Sequence, residues 1–298
     1  MTTTLDTGPE NRTIVRPKRW VAPRLIRATF AALERLAPAL GARWAVRLWC
    51  TVPRGAAGRQ DNRPRPGRLS TVDLPGDRTV VVESWGAGPP VYLVHGWGGW
   101  RGQLGAFVDP LLARGYRVVA FDAPSHGESA PGRFGPRRGA LPEFADALRA
   151  VAAHHGPPAG VIGHSLGCVA AAVAVSDGLR APRLGFVAPS VQPLAATDQM
   201  AVAFGFRERT RSAMIQRLEA LVNRPMSDFD LLALADRSHL PPTLVVHDRD
   251  DNEVAHDEAD RLVAGWPQAD LVTTTGLGHS RILREAEVVG LVALFVAP

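Results

Sequence analysis

Gly163-His164-Ser165-Leu166-Gly167 follows the short apolar stretch Gly160-Val161-Ile162 and precedes the small-residue run from Cys168 to Val175. That order reads as strand, sharp turn and helix. A serine at the tip of such a turn presents its hydroxyl beyond the end of the strand, and glycines two positions to either side let strand and helix lie close together. Ser165 is therefore the first candidate nucleophile, and a strand feeding a helix through it predicts an α/β fold.

Outward from the turn the same alternation repeats. Residues 69–74 and 78–85 flank Pro75-Gly76-Asp77 and predict a β-hairpin. Strands follow at 91–94, 117–121, 160–163, 184–187, 243–246 and 270–273, with helices at 104–114, 141–155, 257–264 and 281–295 between or after them. This pattern requires a mostly parallel central sheet with helices on both faces and with ligands at the carboxyl ends of its strands. Residues 190–241 interrupt the rhythm with an amphipathic helix at 207–222 and a shorter helical piece at 228–236. An excursion on the side where the serine turn opens predicts a helical lid insertion.

The chain has 298 residues, 46% of them hydrophobic and 21% charged, as expected of a globular protein and not of a disordered or fibrous one. No apolar run reaches the length of a membrane span, and MTTTLDTGPENRTIV lacks the basic-then-apolar layout of a signal peptide, so a cytoplasmic location is expected. The net charge of +5 is uneven. Residues 1–70 hold 14 basic residues (13 Arg and Lys18) against four acidic, whereas the remaining 228 residues carry a net −5. This leader contains no nucleic-acid-binding motif, so no nucleic-acid partner is expected. At 23–37 its apolar residues recur at helical spacing, a second helix follows around Leu40, Trp44 and Leu48, and the Pro/Gly/Arg-rich stretch 52–68 reads as a linker. Residues 1–68 thus form a basic N-terminal helical extension with linker, ahead of a catalytic body at 69–298. The extension has two readings, an arm packed on its own domain, which ranks first, and peripheral membrane contact through residues 1–50.

A serine hydroxyl needs a base to take its proton and an acid to orient that base. Asp248, Asp250 and Asp251 follow the strand at 243–246, and Gly276-Leu277-Gly278-His279 follows the strand ending near Thr273. With Val94-His95-Gly96-Trp97-Gly98-Gly99, the segment Phe121 to Ser129, the serine turn and Gly278-His279 all at strand ends, the chain from about Leu69 onward resembles the α/β-hydrolase superfamily, its serine esterase and lipase-like branch. That resemblance implies Ser165 as nucleophile, His279 as general base and Asp251 as the acid that orients it. Asp251 fits the family spacing of four residues after a strand-terminal histidine, here His247; Asp250 is the runner-up and Asp248 the least favoured. The oxyanion hole is implied to be the backbone N–H groups of Trp97 and Leu166. Ser125 stands where the family usually has glycine.

The expected activity is hydrolysis of a carboxylic ester, or of a thioester or lactone, through an acyl-enzyme on Ser165. The expected partner is a small-molecule acyl substrate, and neither cofactor nor metal is called for. Acyl transfer to an alcohol, perhydrolysis and carbon–carbon bond cleavage by the same triad are the alternatives among enzymes. Outside enzymes the alternatives are a noncatalytic binding protein of the same fold and a membrane-associated assembly partner. Cys50, Cys168 and the other histidines are expected to be structural.

Overall fold

The computed structural model describes residues 2–4, 23–53, 61–237 and 239–298. Most of the amino-terminal stretch searched for a signal peptide lies outside them. The strands are β1 (Thr2–Thr4), β2 (Arg68–Leu74), β3 (Arg78–Trp85), β4 (Pro90–Val94), β5 (Arg117–Phe121), β6 (Gly160–His164), β7 (Leu184–Val187), β8 (Thr243–Asp248) and β9 (Ala269–Thr274). The helices are α1 (Arg24–Leu36), α2 (Pro38–Trp49), α3 (Val108–Ala113), α4 (Leu141–His155), α5 (Leu166–Ser176), α6 (Pro193–Phe204), α7 (Glu208–Val222), α8 (Leu231–Arg237), α9 (His256–Gly265), α10 (Gly278–Arg281) and α11 (Ala286–Val296).

An eight-stranded mixed sheet, β2 to β9, is extended at one edge by the three-residue β1, in the order β1-β9-β8-β7-β6-β4-β5-β3-β2. The β2–β3 and β3–β5 pairs are antiparallel and all the others are parallel. Every residue of β4, β6, β7 and β8 is buried, because helices cover the sheet on both sides. One apolar core contains α4, α5 and the inserted helices; the other contains α3, α11 and the 3-10 turn Arg101–Phe107. From β4 the chain crosses to β5 on one side and returns to β6 on the other, so the serine turn leaves the sheet where the strand order reverses. Ligands of open α/β sheets bind at such a point.

The hairpin forms as the sequence predicts, with Gly76 at φ 82° and Asp77 at φ 52° in its turn. Three expectations need correction. The inserted segment contains a further helix, α6, whose apolar residues lie all around it and give no one-sided pattern. The helix expected at 104–114 is a 3-10 turn followed by the short α3. The helix expected at 281–295 is broken at Glu285, whose ψ of 122° interrupts it before α11.

The N-terminal helices pack against the inserted ones. Phe30 is fully buried, stacked on Trp44 at 4.5 Å and in contact with Phe204 and Phe206 at 5.8 and 5.1 Å. The Glu34 carboxylate accepts hydrogen bonds from the backbone N–H groups of Arg207, Arg209 and Thr210, so α1 supplies the N-terminal cap that α7 lacks in its own sequence. The Arg27 guanidinium donates to the carbonyls of Val202 and Ala203 at the last turn of α6. The outer face of these helices carries exposed Leu25, Leu36 and Leu40 beside Arg24, Arg35 and Arg43. The described part of the expected linker is likewise fixed. Asn62 is hydrogen bonded to the backbone of Gly102 and Gln103, and Glu83 accepts from Gly67 N–H and Arg63. Among the described residues no helix is long and apolar enough to cross a membrane.

Phe30→Ala is expected to lower unfolding free energy by about 3 kcal/mol, as for other large-to-small core changes. Leu36→Ala, at an 84% exposed position, is expected to change it by less than about 0.5 kcal/mol. Urea denaturation followed by tryptophan fluorescence measures both; equal effects would contradict the packing described.

Candidate active site

Ser165 sits between β6 and α5 with φ 53° and ψ −119°, a conformation that L-residues rarely adopt. The turn is held by Ser165 N–H donating to the Val187 carbonyl at 3.0 Å and by Cys168 N–H donating to the Ser165 carbonyl at 3.1 Å. Its two glycines are required by space. A Cβ on Gly163 would come within 2.7 Å of Cys168 N, and one on Gly167 within 2.2 Å of the Val94 carbonyl oxygen. No larger residue fits either position without separating strand from helix.

The three acids after β8 have three different tasks. Asp251 Oδ2 accepts a hydrogen bond from His279 Nδ1 at 2.7 Å, and its Oδ1 accepts from the backbone N–H groups of Glu253 and Val254. Burial opposes ionisation of Asp251, but hydrogen bonds from His247 and His279 outweigh it and hold the carboxyl well below its ordinary range. Asp248 is fully buried and binds the loop that carries His279. Its oxygens accept from the Asp250, Leu277 and Gly278 N–H groups at 2.9–3.0 Å and from the Thr274 hydroxyl at 2.7 Å. Asp250 accepts from Gly276 N–H at 2.9 Å. Of the three, only Asp251 bonds the imidazole.

With its proton on Nδ1 toward Asp251, the His279 ring keeps the other nitrogen as a base. The ring lies beside the elbow. His164, the residue before the serine, contacts it at 4.8 Å between centroids and donates from Nε2 to the His279 carbonyl at 3.0 Å. The variable position of the serine turn therefore positions the histidine loop. His247 was expected to be merely structural, yet it contributes to the acid. Its Nε2–H lies 3.2 Å from both Asp251 Oδ2 and the Val254 carbonyl, with the side chain wholly buried. Its place four residues before Asp251 was the available signal, but only the fold shows that the ring turns back onto the carboxylate.

On the other side of the elbow, His95 shapes the turn that follows β4. Its Nδ1–H donates to the Gly96 carbonyl at 2.8 Å and its Nε2 accepts from Ala123 N–H at 3.0 Å. Trp97 follows this turn and Leu166 opens α5 directly after Ser165, and both face one cavity. A buried ionic cluster, not anticipated from sequence, backs the loop. Arg101, 3% exposed, pairs with Glu83, Asp122 and Glu128, and its N–H donates to Asp122 Oδ1 at 2.7 Å. Ser125 adopts φ 64°, the left-handed region for which glycine is suited, and its hydroxyl offsets the strain by donating to the Arg138 carbonyl and accepting from Gly132 N–H.

Burial pushes His95 down to about 4 and His126 and His164 to about 3, so these rings are neutral at pH 7. Burial raises the Cys50 thiol to about 11 and Cys168 well above its ordinary value, which keeps both protonated and unreactive. Among the described residues no three His, Cys, Asp or Glu side chains are grouped to hold a metal ion. Two depressions are notable. A cavity of about 200 Å³ is lined by Trp97 and Leu166, by apolar side chains of α6 and α7, and by Trp49 and Cys50 at the end of α2. A charged depression of about 460 Å³ between the hairpin and α4, with Arg78, Arg133, Glu143 and Asp146 in its wall, contains no serine or cysteine.

Comparison with known proteins places this geometry in context. A model of the alpha/beta hydrolase family matches residues 91–291. Among curated proteins, the dihydrolipoyllysine-residue acetyltransferase component of the acetoin cleaving system of Cupriavidus necator is 32% identical over 186 residues, 61% of this chain and 46% of that protein. A pimeloyl-acyl-carrier-protein methyl ester esterase of Chromobacterium violaceum is 42% identical over 90 residues, 30% of this chain and 32% of that one. The chain thus spans less than half the length of these two relatives. Among solved structures, an esterase of Pyrococcus furiosus superposes with a TM-score of 0.60 at 18% identity, covering 83% of this chain and 96% of its own. A thermophilic esterase of Thermogutta terrifontis gives 0.55 at 20%, covering 78% and 100%. At such identities the likeness concerns the fold.

The assignment of the acids predicts a far-downfield proton resonance from His279 Nδ1–H, present in the native protein and in Asp250→Asn and absent from His279→Ala. Asp251→Asn is expected to weaken or remove it. Asp248→Ala, which orphans several buried donors, is expected to cost at least about 3 kcal/mol of stability. A resonance that survives Asp251→Asn and vanishes in Asp250→Asn would reverse the assignment.

Proposed function

Because the chain belongs to the α/β hydrolase family, we propose that it hydrolyses a carboxylic ester, thioester or lactone through an acyl-enzyme on Ser165. The observation that carries this reading is the 2.7 Å hydrogen bond from His279 Nδ1 to the buried Asp251, beside a serine on a strained turn. His279 takes the Ser165 proton on Nε2 as Oγ attacks the carbonyl carbon. The negative charge that develops on the carbonyl oxygen is received by the N–H groups of Trp97 and Leu166, aided by the positive end of α5. Collapse of the intermediate breaks the bond to the leaving alcohol, which receives the proton from His279. Water, deprotonated by the same ring, then repeats the sequence on the acyl-enzyme and releases the acid.

Asp251 stays ionised throughout, and its charge favours the imidazolium that forms at each attack. The Chromobacterium violaceum relative, a methyl ester esterase, supports an ester substrate.

Hydrolysis of p-nitrophenyl butyrate by the full chain is expected to fall by on the order of 10⁴-fold in Ser165→Ala and in His279→Ala. The double variant should be no slower than either single one, because the two groups act as a unit. Ser165→Ala retaining more than about a tenth of the native rate would overturn the proposal.

A further inference from the structure

We propose that the 200 Å³ cavity between the inserted helices and α2 is an acyl-chain site. It accepts an uncharged aliphatic chain of limited length, with Trp49 of the N-terminal extension as part of its wall. This rests on the ester-hydrolase reading and specifies its substrate class.

The direction of the cavity identifies which half of an ester enters it. Trp97 and Leu166, whose backbone N–H groups receive the oxyanion in the proposed reaction, both line it, whereas Ser165 and His279 are not among its described lining residues, so the cavity meets the reacting centre at its oxyanion side. In the proposed orientation a tetrahedral carbon on Ser165 directs its leaving oxygen toward His279 and its acyl substituent along the Trp97 and Leu166 flank into the cavity. A chain bound the other way would place the leaving oxygen away from the proton it requires.

The lining sets the chemistry of the chain. Leu141, Leu218, Val222, Met226, Phe229 and Trp49 provide most of the wall, and no residue in it carries a charge. Ser190 and the protonated thiol of Cys50 are its polar side chains apart from the indole N–H groups. A terminal carboxylate or ammonium would lose its hydration there without an ionic partner, whereas each methylene gains from leaving water. A volume of about 200 Å³ bounds the chain, so that carbons added beyond the cavity stay in water and gain nothing further.

The wall also gives the N-terminal helices a part in specificity. Trp49 ends α2, which packs along α7, and α7 contributes Leu218 and Val222 to the same cavity. The α1–α2 pair holds α6 and α7 through Arg27, Phe30 and Glu34. Extension and insertion therefore form one wall, and a change at Trp49 reaches the substrate although it lies more than a hundred residues before the nucleophile in sequence.

The test uses the full-length protein and p-nitrophenyl esters from acetate to dodecanoate. In the native protein kcat/KM is expected to rise about fourfold per added methylene, as apolar burial predicts, and to level off within the series. Ala196→Phe, which intrudes from α6, is expected to lower the octanoate-to-acetate ratio at least tenfold. Trp49→Ala, which removes an indole, is expected to move the plateau to longer chains. Acetate hydrolysis with a chain-length profile that is flat in the native protein, or that neither variant alters, would overturn the acyl-chain site and leave the hydrolase reading standing. Absence of hydrolysis for every ester, in protein that remains folded by circular dichroism, would overturn both.

Discussion

A serine held at φ 53° and ψ −119° is the constraint around which this molecule is organised. A non-glycine residue in such a conformation costs on the order of 1–3 kcal/mol and persists only where its surroundings fix it. Here they do so from three sides. Strand β6 is buried between β4 and β7, α5 begins within one residue of the serine, and Gly163 and Gly167 allow the close contact that forces the turn. The consequence is chemical, because a hydroxyl at the tip of that turn lies beyond the sheet at the point where strand order reverses, and loops from β4, β8 and β9 converge on the same region.

The convergence is enforced by buried polar groups whose geometry leaves little freedom. Asp248 holds the end of β9 and the segment after it through Thr274, Leu277 and Gly278, His164 holds the His279 carbonyl, and Asp251 receives four donors of its own, two from imidazoles. On the opposite side Arg101 fixes the loop after β4 by joining Glu83, Asp122 and Glu128. Each of these groups is costly to bury alone and acceptable only when fully partnered. Their mutual satisfaction aligns loops that come from strands far apart in sequence. The same logic extends outward, where Glu34 and Arg27 of α1 satisfy the orphan ends of α7 and α6 and so position the wall of the apolar cavity.

Much of this was legible in the sequence because it is local. Pro75-Gly76-Asp77 between two alternating runs specifies a hairpin, and Gly-x-Ser-x-Gly after an apolar run specifies the elbow. Where several residues of one type are neighbours, local pattern is weaker. Asp248, Asp250 and Asp251 could be ranked by spacing, and Asp251 is the one that bonds His279, but the tasks of the other two depend on a loop some 26 to 30 residues away. His247 and Arg101 were missed for the same reason. The fold turns the His247 ring back onto Asp251 four residues later and brings Arg101 to Glu83, Asp122 and Glu128, and no local pattern specifies either pairing. The helix α6 escaped notice because a helix buried on several sides has no amphipathic stripe to read. Ser125 shows the converse, since its departure from glycine is visible in sequence while the hydroxyl contacts that make it tolerable are not.

The central claim is that Ser165 is an activated nucleophile driven by His279, and covalent capture tests it most directly. Intact-mass analysis of the purified full chain after exposure to a fluorophosphonate should show a single adduct, absent from Ser165→Ala and formed much more slowly in His279→Ala. A folded native protein that remains unmodified while the cavity is accessible to the reagent, or an adduct that persists in Ser165→Ala, would contradict the account.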